Sequence, residues 1–219
     1  MNFLAHASVA LRIDPDADPR VVLGAMLPDF ASMSRARIAV AGDPAVRRGI
    51  ALHLATDDVF HGAPAFLALY TRGIDALEAL GVARGAARAV AHVGTELLLD
   101  GLLLGDPALD AAYLEAVALP IAPLGLTFRA GGAERFEALH ARLSEHGLPE
   151  DYRSPERVAL RLEQILARRP RLALAPGDRA RIVPFLEETR GLLGARIATL
   201  LREVDDGLRP AQTNQAPTV

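Results

Sequence analysis

Ile50-Ala51-Leu52-His53-Leu54-Ala55-Thr56-Asp57-Asp58-Val59-Phe60-His61-Gly62-Ala63-Pro64 carries three ligand-type side chains, His53, Asp57 and His61, each four residues from the next. On a helix, every step of four advances a side chain by about 40° beyond a full turn, so the three share one face. A second series, His92, Glu96 and Asp100 within A-H-V-G-T-E-L-L-L-D-G, repeats the spacing. Two helices that each offer an imidazole and carboxylates from one face can enclose a metal ion between them. The two stretches predict an all-α domain whose paired helices floor a metal-dependent hydrolase site.

Working outward, 219 residues suit one globular domain with a terminal extension. Half the residues are hydrophobic, aromatics are few and Trp is absent; Ala, Leu and Gly fill the gap, which favours close-packed helices over a β-sandwich. A formal net charge of −3 indicates no general attraction to nucleic acid. Every basic residue is Arg and none is Lys, which reads as genome-level composition. With no Cys, a metal must sit on His, Asp and Glu, leaving zinc, manganese, iron or magnesium open. The opening Met1-Asn2-Phe3-Leu4-Ala5-His6 lacks the basic region of a signal peptide. Apolar runs such as Leu97–Leu99 and Leu102–Leu104 fall far short of the roughly 20 residues of a membrane span. The expectation is a soluble cytoplasmic protein.

Along the chain, Asn2 to Arg12 has helical spacing and stops at Asp14-Pro15-Asp16. Asp18-Pro19 and Asp43-Pro44 read as cap-plus-proline helix starts, with Pro28 bending or ending the first of these helices. Ser32 to Gly42 is irregular by pattern. The Asp43-Pro44 helix is expected to run to about His61, and further helices over Ala65–Leu80, Arg84–Leu104, Pro107–Ala118, Ala133–His146 and Pro155–Ala167. Pro120 to Thr127 has no assignable state. Arg168-Arg169-Pro170-Arg171 reads as a basic hinge, and Pro176-Gly177-Asp178 opens a last helix to about Leu201 or Val204. The domain is expected over 1–206, with 207–219 a disordered tail.

Eight residues offer oxygen or nitrogen ligands: His6, Asp29, His53, Asp57, His61, His92, Glu96 and Asp100. Singly, most have a structural reading. His6 and His53 could be core or partly buried histidines, and Asp29 an N-cap. Asp57-Asp58 could pair with Arg47 or Arg48, and His61 could complement a helix dipole. Asp58 points about 100° away from Asp57, so Asp57 is the candidate ligand. Glu96 and Asp100 lie among leucines, and buried carboxylates are costly without partners. Jointly, the set favours a metal, which lowers the pKa of a bound water and polarises a phosphoryl oxygen. His140 and His146 read as surface residues. Arg168, Arg169 and Arg171 either recognise an acidic partner or form a solvated hinge.

Met1-Asn2-Phe3-Leu4-Ala5-His6, Leu23-Gly24-Ala25-Met26-Leu27-Pro28-Asp29-Phe30, Arg48-Gly49-Ile50-Ala51-Leu52-His53 continuing through Asp57, and Ala167-Arg168-Arg169-Pro170-Arg171-Leu172 resemble the acyl carrier protein phosphodiesterases, or holo-ACP hydrolases. The resemblance spans most of the chain in short islands. It implies an all-helical fold distantly similar to the HD phosphohydrolases, manganese as the usual cofactor, and hydrolysis of 4′-phosphopantetheine from holo-acyl carrier protein. His61 stands where that family tends to have an Asp, Gly101 stands where it has a His after Asp100, and no His-Asp dipeptide occurs. In ligand spacing alone, the chain also resembles the zinc-dependent phospholipase C type.

The expectation is therefore a metal-dependent phosphodiesterase. His6, Asp29, His53, Asp57, His61, His92 and Glu96 hold one or two divalent ions, manganese or zinc first and iron open. Asp100 serves catalysis as a further ligand or by orienting a histidine. The partner is acyl carrier protein or a small phosphodiester. The competing expectation is a helical binding protein that retains the family core without hydrolysis, favoured by Gly101 and engaging an acidic partner through Arg168, Arg169 and Arg171.

Overall fold

Side-chain caps and prolines set the helix starts. Asp18 accepts a hydrogen bond from the Arg20 amide, Asp43 from Ala45 and Val46, Asp106 from Ala108 and Leu109, and Ser154 from Arg157. In each case a proline follows at the first helical position, where its missing N–H costs nothing. Each such cap contributes about 1 kcal/mol. The computed structural model describes residues 1–129 and 131–209. In chain order the helices are α1 (Phe3–Ile13), α2 (Pro19–Met33), α3 (Pro44–Gly62), α4 (Pro64–Ala79), α5 (Arg84–Leu103), α6 (Pro107–Ala118), α7 (Ala133–His146), α8 (Pro155–Leu166) and α9 (Asp178–Leu208). The described residues are otherwise all-α, with two short 3-10 turns (Ala122–Leu124 and Glu150–Arg153) and one ribbon, β1 (Ile38–Val40) antiparallel to β2 (Thr127–Phe128).

The ribbon lies in the stretches that pattern left irregular or unassigned. Strands of three and two residues are too short to show alternation, and their pairing depends on residues far apart in sequence. α2 also differs from expectation. It passes through Pro28 and continues to Met33, forgoing the bond that residue 28 would donate to Gly24. Leu27, Phe30 and Ala31 on either side of the proline are buried, and that packing carries the helix across the missing bond. Gly207 and Leu208, expected in the tail, belong to α9; residues 210–219 lie outside the described residues.

α1 and α5 are the enclosed helices. Phe3 through Ala10 are all buried, as are Leu97 through Gly101 on α5. α5 packs against α1, α4, α8 and α9, so nearly its whole circumference is covered. Fully burying each large apolar side chain contributes about 1.5–3 kcal/mol, and this covering is what makes α5 a fixed platform. Among the described residues, no helix is long and apolar enough to cross a membrane.

His140, expected at the surface, is buried beside Phe136, and its Nε2 has no hydrogen-bond partner among the described residues. It falls on the same face of α7 as Phe136, a spacing of four that charged neighbours obscured. His146 is exposed as expected.

Candidate metal centre

The site begins with two glycines. At Gly24 a Cβ would stand 2.4 Å from the carbonyl oxygen of Val46, and at Gly49 it would stand 2.2 Å from that of Val21. α2 and α3 therefore cross backbone to backbone, which only residues without a side chain permit. One turn beyond Gly49, His53 is buried with Nδ1 2.8 Å from the carbonyl oxygen of Ala25. A carbonyl only accepts, so Nδ1 carries the proton and Nε2 presents its lone pair. Asp29 is one turn beyond Ala25 on the same helix.

His6 comes to this point from α1. Its ring stacks on His53 with centroids 3.8 Å apart, and its Nε2 lies 3.2 Å from Asp57 Oδ1 and 4.0 Å from Asp29 Oδ2. Asp57 Oδ2 is 3.5 Å from His53 Nε2. His6, Asp29 and His53 each offer a ligand atom within 4.8 Å of the other two. Both nitrogens of His6 and Oδ2 of Asp29 are buried without an aligned hydrogen-bond partner. Buried polar atoms are rarely left so, and His6 Nε2 and Asp29 Oδ2, 4.0 Å apart and both unpartnered, suit a cation between them. Asp58 is exposed and outside the group.

A second group forms where α3 meets α5. His61 Nε2 is 3.0 Å from His92 Nε2 and 3.2 Å from Glu96 Oε1, and His92 Nε2 is 3.0 Å from the same oxygen. The edge of a tetrahedron around an ion with ligands at 2.0–2.1 Å is about 3.3 Å, close to all three sides of this triangle. Phe66 and Tyr70 on α4 flank the imidazoles, with the His92 ring edge-on to both at 5.5 and 5.8 Å.

The two groups adjoin. The α-amino nitrogen of Met1 donates to Asp57 Oδ1 at 2.6 Å and lies 3.2 Å from Glu96 Oε1, so one ammonium touches a carboxylate of each. Burial opposes its charge, but Glu96 and Asp57 outweigh that and raise its pKa. Burial alone would raise Asp57, yet the His6 contact and the ammonium hold it well below the usual carboxylate range. Glu96 is likewise buried but held low by His61 and His92. Asp29 goes the other way, pushed well up by burial and by the other carboxylates. Burial also depresses His6, and it lowers His53 to about 4, so their neutral, ligating forms are favoured. Four imidazoles and three carboxylates form a nitrogen–oxygen donor set that fits zinc, manganese or iron.

All seven expected ligands thus come together. Asp100, expected as an eighth ligand or as a partner of a histidine, is placed elsewhere. It is fully buried and accepts from Asn2 Nδ2 at 2.6 Å, Leu4 N at 3.1 Å and Ala5 N at 2.9 Å. Burial pushes it up to about 7 against these three donors. Asn2 makes no side-chain cap of its own for α1, so Asp100 caps the helix from outside and sets the position of His6 within it. Gly101 has a packing reason too: a Cβ there would stand 2.0 Å from the carbonyl oxygen of Tyr152.

A cavity of about 650 Å³ opens onto Asp29 and Glu96. Arg168 and Arg169, both exposed, help line it; Arg171 is exposed but outside the lining. Tyr152, Arg35 and Arg161 also line it and were not among the sequence candidates, since none belongs to a spacing pattern. Compared with family models, curated proteins and solved structures, the chain matches none.

Proposed function

We propose that the chain is a metal-dependent phosphodiesterase. The observation that carries this reading is the adjacency of two His/carboxylate groups, joined through one ammonium contact and open to one cavity. His6, Asp29 and His53, with Asp57, would hold one ion, and His61, His92 and Glu96 a second. Divalent ions bound there supply Lewis acidity and an activated water for in-line displacement at phosphorus. Asp57 and Glu96 stay ionised and so keep the charge that ligation needs. The Ala25 carbonyl fixes the tautomer of His53, and Asp100 fixes the helix that carries His6. Asp29 and Glu96 line the cavity and bring a substrate there into their reach.

Within this class, 4′-phosphopantetheine on acyl carrier protein is the specific candidate from the resemblance, with Arg168 and Arg169 beside the cavity to meet an acidic carrier. A zinc-dependent phosphoesterase of the phospholipase C type is the second reading, favoured by the imidazole of His61 in the second group. Gly101 does not argue for lost activity, because its position is filled by the Tyr152 backbone.

Metal analysis of protein purified without chelator is the test, and one to two equivalents are expected. Below about a tenth of an equivalent the reading fails, given the tight binding such sites have. Hydrolysis of bis(p-nitrophenyl) phosphate with Mn²⁺, Zn²⁺ or Fe²⁺, and release of phosphopantetheine from holo-acyl carrier protein, then separate the substrates.

A further inference from the structure

The cavity beside the metal centre carries opposite charges. Asp29 and Glu96 lie on the metal side, and Arg35, Arg161, Arg168 and Arg169 are the other charged residues of the lining. None of these four arginines makes a salt bridge among the described residues, so none has its charge offset by a carboxylate there. Arg161 is half-buried, with the Tyr152 hydroxyl beside it.

Arg35 is held at a backbone cost. Its φ is 54°, the only positive value at a non-glycine among the described residues. It follows the last turn of α2, where its amide donates to Ser32 O at 3.1 Å and that of Ala36 to Ala31 O at 2.8 Å. This is the helix-ending motif whose left-handed residue is usually glycine. Past the ends of α4, α5 and α7 the chain does use glycine, at Gly81, Gly105 and Gly147. Among the described residues, only at the end that borders this cavity does a long cation stand in that conformation. Strain kept at a site that glycine would relieve points to a use for the side chain.

We propose that Arg35 and Arg161 of this cavity wall bind a phosphate group of the substrate. The assignment of that phosphate to a substrate rests on the phosphodiesterase reading above; the binding itself does not. Guanidinium groups match tetrahedral phosphate oxygens with paired donors. The half-buried place of Arg161 suits a small anion entering the cavity better than carboxylates on the surface of a folded partner.

The experiment titrates inorganic phosphate into chelator-treated protein by calorimetry, so that phosphate on a metal does not register. Wild type is expected to bind one equivalent, and Arg35→Gly and Arg161→Gln each to weaken it about tenfold or more, the worth of a charge-assisted hydrogen bond. Without phosphate, Arg35→Gly is expected to melt about 2–4 °C higher, because it relieves the left-handed strain. Unchanged affinity in both variants overturns the proposal, as does a lower melting temperature for Arg35→Gly. Equal displacement of phosphate by hexaglutamate overturns it in favour of an acidic protein partner. Failure of the phosphodiesterase reading shows separately, as absent metal or turnover with phosphate binding intact.

Discussion

His53 donates its Nδ1 proton to the carbonyl of Ala25 at 2.8 Å, one turn beyond the point where Gly49 meets Gly24. The bond joins a packing feature to a chemical one. The glycine crossing brings α3 close enough to α2 for the imidazole to reach a carbonyl, and that carbonyl turns Nε2 towards Asp57 and Asp29. A methyl group at residue 49 would stand 2.2 Å from the Val21 oxygen. Gly49→Ala is therefore expected to destabilise the protein by about 3 kcal/mol, the upper range for overpacking, and to lower its metal content as His53 is pushed from its carbonyl. Urea denaturation and metal analysis of the one variant check both effects. Full stability with full metal content would show that the crossing does not set the site.

The second group makes a prediction about metal choice. His61 is the imidazole of the triangle supplied by α3, with Nε2 3.2 Å from Glu96 Oε1. His61→Asp replaces a nitrogen ligand by a hard oxygen, so affinity should shift from zinc towards manganese. Glu96→Gln removes the negative charge of the carboxylate that touches both imidazoles and is expected to weaken metal binding by about 100-fold or more, at least the loss seen on removing an outer-shell partner. Competition titrations with a chromophoric chelator measure both; an unchanged zinc-to-manganese ratio in His61→Asp would place that residue outside the ligand set.

Gly101 offers a test free of metal chemistry. Its missing side chain lets the segment around Tyr152 close over α5, with no room for a Cβ 2.0 Å from the Tyr152 oxygen. Gly101→Ala should cost about 3 kcal/mol, and Gly101→His more. Thermal melts report it. A stable Gly101→His protein would mean that the segment moves aside readily and that the glycine is not there for packing.

His140 predicts a pH dependence. Burial lowers its pKa below the ordinary value near 6.5, and its Nε2 is unpartnered. Below that ordinary value the unfolded chain takes up a proton that the folded chain resists. The contribution to stability is thus whole at pH 8 and lost as pH falls through about 6.5 towards the depressed folded value. His140→Phe, with an apolar ring beside Phe136, should remove this slope. The difference in urea midpoint between wild type and variant is expected to grow from pH 8 to pH 5 in favour of the variant; a constant difference would show that His140 is protonated equally in both states.

Helix starts were legible because their determinants are local. An Asp or Ser caps the amides two or three residues on, and the adjacent proline sets φ, at residues 18, 43, 106 and 154. The shared face of His53, Asp57 and His61 was legible for the same reason, since helical spacing needs no partner. Other features depend on residues remote in sequence. The β1–β2 ribbon pairs residue 38 with residue 128, and α2 survives Pro28 through burial on both sides. Asp100 has ligand spacing, yet the fold sets it under the amides of Leu4 and Ala5. Arg35 looks ordinary in sequence, and only its φ of 54° and its place on the cavity mark it out. The sequence by itself determined which side chains share a helix face, because backbone periodicity dictates it. The tertiary structure decided which faces meet, because that depends on where glycines let backbones touch and which buried charges find donors.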